Sequence, residues 1–234
     1  MDRRSFIGSC TAGAAGLSAA ASFSSWAADA RPREYAPALL VDTHGDPVKA
    51  SSLKPQVNYI FLYPFEATPV FLLDLGRPVE PHILSTEDRN PYSWPGGVGR
   101  NRSIVAFSAI CAHQLVYPTR DVSFISFRKK RAQRGVQDGL IHCCAEHSQY
   151  DPARGAEVLS GPAKQPLCAV LLAHDPRADT LTAHATLGGE LFDAFFRKYQ
   201  MKLSLDVGPK AHDAVAGQST VQELDRFCRN PIQC

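Results

Sequence analysis

The chain has 234 residues, 44% of them hydrophobic, with 25 Lys and Arg against 23 Asp and Glu. That length supports one main hydrophobic core and a small appendage. The net charge of +2 leaves no electrostatic footprint for a nucleic-acid partner.

The first thirty residues read as a targeting segment. Arg3 and Arg4 precede a small, mildly apolar stretch over 8–26, the pattern of twin-arginine export, and Ala28-Asp29-Ala30 offers a cleavage site after Ala30. The expected destination is the periplasm. Either the segment is removed or it stays as an anchor, but its Gly, Ala and Ser content makes it a poor membrane span.

From about 38 to 185 the pattern is one of short strands between Pro, Gly and Asn turns, which predicts an all-β domain over 31–187. Strands are expected at 57–63, 70–75, 103–110, 122–127, 140–143, 167–173 and 180–185 on their β-branched and aromatic content. Residues 89–97, with two prolines and two glycines, predict a loop. After Gly188-Gly189 the character changes. Leu191, Phe192, Phe195, Phe196 and Tyr199 share one face at helical spacing, and Thr220 to Glu223 has capping-box form ahead of Leu224, Phe227 and Cys228. Two short helices are expected in a C-terminal extension over 188–234, the aromatic one packing on the β domain.

Two clusters carry the chemistry: Cys111-Ala112-His113 and Cys144-Ala145-Glu146-His147, each following an apolar strand. Two thiolates and two imidazoles from loops at strand ends can converge on a metal. Tetrahedral zinc would accept the same donors, although one residue between Cys and His is unusual for structural zinc. The two boxes, C-x-H and C-x-x-H, resemble those of Rieske proteins. So does Ser160-Gly161-Pro162-Ala163, similar to the proline loop that covers the cluster in Rieske subunits of cytochrome bc complexes, and so does Ser148-Gln149-Tyr150, similar to the family's Ser-x-Tyr. The similarity covers about 103–173.

This resemblance implies a Rieske-type antiparallel β-sandwich with the cluster-binding loops at one end and a short helical C-terminal tail. It implies a [2Fe–2S] cluster with Cys111 and Cys144 on one iron, His113 and His147 on the other, hydrogen-bond donors from Ser148 and Tyr150, and Gly161 and Pro162 excluding water. Histidine ligation and these donors place the expected potential in the upper half of about −150 to +300 mV. The family usually carries a second cysteine in each box, joined as a brace, but Val116 and Glu146 stand at those positions, so that disulfide is expected to be absent. The family also usually has a glycine between the second histidine and the serine, whereas Ser148 follows His147 directly.

The function implied is that of an electron-transfer subunit of an oxidoreductase complex rather than a complete enzyme, carrying single electrons from quinol to a cytochrome b or c type acceptor. A small subunit beside a molybdenum-containing large subunit, as in arsenite oxidase, is the alternative. Membrane association would come through the N-terminal segment. An oxygenase would need a second, mononuclear iron site in a larger domain, which this length does not provide. With Cys111 and Cys144 given to iron, Cys228–Cys234 is the first expected disulfide, and Cys143 is either paired with Cys168 as its complement or an inert core thiol. Arg128 to Arg131, with Arg120 and Arg134 nearby, forms a basic insert between the boxes; it is read first as a solvated loop, with steering of an acidic partner as the alternative.

Overall fold

The computed structural model describes residues 31–129 and 139–234. The export segment and Lys130, Arg131 and Arg134 of the basic insert lie outside the described residues. In chain order the strands are β1 (Arg33–Val41), β2 (Tyr59–Leu62), β3 (Pro69–Asp74), β4 (His82–Ser85), β5 (Pro91–Trp94), β6 (Ile104–Ser108), β7 (Val122–Ser123), β8 (Ile125–Phe127), β9 (Ile141–Cys143), β10 (Gln149–Asp151), β11 (Glu157–Ser160), β12 (Ala169–Asp175) and β13 (Thr180–Leu187). Helix α1 (Phe192–Asp206) follows, then β14 (Gly217–Thr220), β15 (Gln222–Glu223), a single turn α2 (Leu224–Phe227) and β16 (Asn230–Pro231).

Eight strands form one sheet in the order β14-β1-β13-β12-β6-β3-β2-β15, and β11-β10-β9-β8 form a second. Neighbours are antiparallel except β14 beside β1 and β16 beside β7. The chain is thus all-β with a mixed main sheet, as expected in class. The sheet buries both faces, which is why β3 and β6 read as nearly continuous apolar runs rather than alternating ones. On one face Ile60, Phe71, Leu73, Val105 and Phe107 pack with Ile125, Ile141, Cys143 and Tyr150 of the small sheet, and with Tyr92 and Trp94 of the β4–β5 hairpin. On the other, Leu40, Phe61, Val70, Leu72, Ala106 and Leu181 form a separate core.

Several expectations are corrected. Residues 91–94, expected inside a loop, form β5 paired with β4; Pro91 opens the strand and Pro95 follows it, where neither removes a needed ladder donor. The strand expected at 122–127 breaks at Phe124 into β7 and β8. The capping box does not form. Glu223 provides no side-chain cap, because Gln222 and Glu223 instead pair with Ile60 and Tyr59. Within 208–234, β14 and β15 extend the two edges of the main sheet, while β16 pairs with β7.

Helix α1 does pack on the β domain. Phe195 is fully buried, with Tyr117 at 4.9 Å edge-on and Phe196 at 5.5 Å, and Phe65 closes the cluster 5.4 Å from Phe196. Each such aromatic pair adds about 0.5–1.5 kcal/mol beyond the area it removes from water. Among the described residues no helix is long and apolar enough to cross a membrane.

Candidate metal centre

The first loop leaves β6 through Ala109 and Ile110 and turns sharply at Cys111. The turn is closed by Cys111 N–H to Val116 O at 2.8 Å and Leu115 N–H to Cys111 O at 3.0 Å, with Leu115 in the left-handed region at φ 58°. The second loop is the hairpin between β9 and β10, where Gln149 faces His142 and Tyr150 faces Ile141. Cys143 N–H donates to Ser148 O at 2.9 Å, and His147 takes φ 58° to close the turn.

Between the loops two thiols meet. Cys111 and Cys143 are fully buried and hydrogen-bond each other. Cys111 Sγ also accepts the backbone N–H groups of His113 and Gln114, and Cys143 Sγ those of Ala145 and Glu146. Each sulfur is thus cradled by the amides two and three residues after it. Tyr150, buried, places its hydroxyl 3.2 Å from Cys111 Sγ. Its oxygen already accepts Ala112 N–H at 3.2 Å, which leaves the hydroxyl proton to be donated to the sulfur. The Cys143 hydrogen bond, then that of Tyr150 and those of the two amides, hold the Cys111 thiol well below its ordinary pKa despite burial. The shared bond, and then burial, push the Cys143 thiol up. Burial, then the Cys111 charge, raises Tyr150 and keeps it a neutral donor.

His113 Nδ1 is buried with no hydrogen-bond partner among the described residues. An orphaned ring nitrogen costs about 1–3 kcal/mol, a penalty that a metal bond would remove. His147 lies exposed on the second loop, its ring 6.2 Å from that of His142. Over this loop runs the 160–163 segment. Ala163 N–H donates to the buried Ser148 Oγ at 3.2 Å, and Gly161 approaches so closely that a Cβ there would lie 2.5 Å from Ser148 Cα. Pro162 follows it in the same cover. Gln165 ties the far end down, accepting Glu87 N–H at 3.0 Å and donating to Gly189 O at 3.1 Å.

Cys144 is placed differently from the expectation. Its sulfur is bonded to Cys234 across a Cα–Cα distance of 5.6 Å, so the expected Cys228–Cys234 bond does not form, and Cys143, Cys168 and Cys228 are buried free thiols. Arg128 Nη2 sits 3.1 Å from Cys144 Sγ and 3.3 Å from Cys234 Sγ, and Nη1 donates to the Cys234 carbonyl oxygen. Of the residues expected at the centre, Cys111 meets Tyr150, Ser148 meets Gly161 and Ala163, His147 lies with His142 and Cys234, their ligand atoms within 4.8 Å of one another, and Cys144 faces the 230–234 segment. The C-x-x-H spacing does not single out Cys143 as a metal ligand.

No family model matches the sequence. Among solved structures, the chain is similar to the soluble domain of the Rieske protein II (soxF) from Sulfolobus acidocaldarius, at 24% identity and a TM-score of 0.47 over 67% of this chain and 82% of that one.

Proposed function

We propose that this chain is a Rieske-type [2Fe–2S] electron-transfer protein. The observation that carries the reading is the pair of buried thiols, each at the end of a strand and cradled by two backbone N–H groups, beside the unpartnered Nδ1 of His113. Amide donors aimed at sulfur stabilise the thiolate, the form that binds metal. The residues present fit three of the four cluster positions: Cys111 and His113 from the first loop and one of the adjacent cysteines 143 and 144 from the second. The ring of His147, the fourth by sequence, lies instead beside His142 and Cys234, with ligand atoms of the three within 4.8 Å of one another. When bound, such a cluster takes up and releases single electrons.

The protein's own part is to set the surroundings. Tyr150 and the amides place positive dipoles on the sulfurs and so favour the reduced, more negative state. The 160–163 segment keeps water from one side, while His147 stays on the exposed face where a redox partner can approach. The twin-arginine pattern supports periplasmic function, with quinol as donor and a cytochrome as acceptor; a molybdenum-containing partner is the alternative host. Purification after aerobic expression with the export segment intact tests both levels. The expected result is a red-brown protein with two irons and two acid-labile sulfides per chain and a rhombic EPR signal on reduction, recovered with a cytochrome b subunit. Zinc in place of iron overturns the reading, and recovery with a molybdenum subunit moves the protein to the alternative host.

A further inference from the structure

The adjacent cysteines of the second loop have separate tasks, and resting on the iron–sulfur reading we infer that Cys143 supplies the second cluster thiolate while Cys144 fastens the loop to Cys234. Successive side chains of a strand point to opposite faces. Ile141 and Cys143 face the core together with Cys111, and Cys144, one residue on, faces Arg128 and the 230–234 segment. The two loops repeat one arrangement: a buried sulfur accepting the N–H groups of the second and third residues beyond it, His113 and Gln114 in one case, Ala145 and Glu146 in the other. Cys144 does not share that burial, and its sulfur already has a covalent partner.

The bond to Cys234 spans 90 positions of sequence, and closing so long a loop gives a cross-link its largest effect on the unfolded chain. Around it the 230–234 segment is held by further contacts. Cys144 N–H bonds Phe124 O at 2.6 Å, Ile232 N–H bonds Ser123 O at 2.7 Å, and Asn230 and Pro231 pair with Val122 and Ser123. The disulfide thus braces the second loop from outside the cluster. That brace replaces a bond between the two loops, for which Val116 and Glu146 supply no sulfur.

The test uses the full chain in three forms: the natural protein, Cys144→Ser/Cys234→Ser and Cys143→Ser. Mass mapping of the denatured, unreduced natural protein after alkylation is expected to find Cys144 linked to Cys234 and label on Cys111, Cys143, Cys168 and Cys228, and on Cys10 where the export segment is kept. The double variant is expected to keep the iron and sulfide content and the EPR signal of the natural protein while its Tm falls by several degrees. Cys143→Ser is expected to lose at least nine-tenths of its iron with its far-UV CD spectrum unchanged. Label on Cys144, or loss of iron from the double variant, overturns the assignment; an unchanged Tm in the double variant overturns the brace. A natural protein that shows the Cys144–Cys234 link but holds no iron overturns the iron–sulfur reading instead and leaves the pairing established. Should Cys143→Ser fail to fold, the double variant and the mass map still decide.

Discussion

Replacing Gly161 by alanine measures how tightly the 160–163 segment is laid on the second loop. The residue has φ +90°, beyond the narrow left-handed well of L-residues, and holding alanine there costs about 1–3 kcal/mol. The new Cβ would also stand 2.5 Å from Ser148 Cα and 2.8 Å from His147 O. Both are backbone atoms that cannot rotate aside, and overpacking of this kind costs about 1–3 kcal/mol more. Gly45 separates the two contributions, since its φ is +89° but nothing lies within 4 Å of its Cβ position. Gly45→Ala should therefore show the backbone strain alone, and Gly161→Ala that strain plus about 1–3 kcal/mol. Urea unfolding followed by far-UV CD gives the comparison through the midpoints, provided the slopes agree. Equal midpoints for the two variants would refute the close contact and the cover it provides for Ser148.

Three further outcomes are expected. Tyr150→Phe leaves Ala112 N–H without its acceptor and Cys111 without its hydroxyl donor; the lost bond to sulfur, about 1–2 kcal/mol, corresponds to a fall of roughly 40–80 mV at about 59 mV per tenfold for one electron, and a redox titration with no downward shift would remove Tyr150 from the centre. Phe195→Ala, which empties the middle of the α1 contact, should lower unfolding stability by about 3–5 kcal/mol in the isolated chain; no effect would mean that the helix face docks on something else. The Asp179 carboxylate is held well below its usual range first by the Ser51 hydroxyl, then by His174 and by Ser51 N–H. Because its folded pKa is depressed, its contribution is full above the unfolded value of about 3.9 and disappears as pH falls toward the folded one. The urea midpoint of the natural protein should thus decline below about pH 4, and the gap to Asp179→Asn should narrow there; a gap constant with pH contradicts the assignment.

The central strands were legible because their composition and their bounding turns agree with where they end up, as in β3 and β6. Strand β1 was not legible: Pro37 interrupts its run, and the structure accommodates it where the pairing with β13 shifts register between Glu34 and Ala38. The 220–223 segment has the local signature of a helix start, and the free edge of β2 overrode it. At the centre, Cys111 was legible from its spacing to His113, and Tyr150 from its resemblance to the Ser-x-Tyr of Rieske proteins. The second thiol could not, since two counts compete. Counting back from His147 by the C-x-x-H rule reaches Cys144. Counting back from Ser148 and restoring the missing glycine reaches Cys143. Only the facing of β9 separates the two, and a three-residue strand bounded by adjacent cysteines does not display it in one dimension.

The pairing of β14 with β1 and of β15 with β2 has a consequence for how this chain comes into being. During synthesis Ala38 emerges long before its antiparallel partner Ala183 and its parallel neighbour Gly217. At about 5–20 residues per second, β1 stays without either partner for roughly 7–30 seconds. Over that interval its unpaired amides and carbonyls are open to any other extended strand. A nascent chain of this design therefore depends on being kept apart from its siblings until the 217–223 stretch has cleared the ribosome.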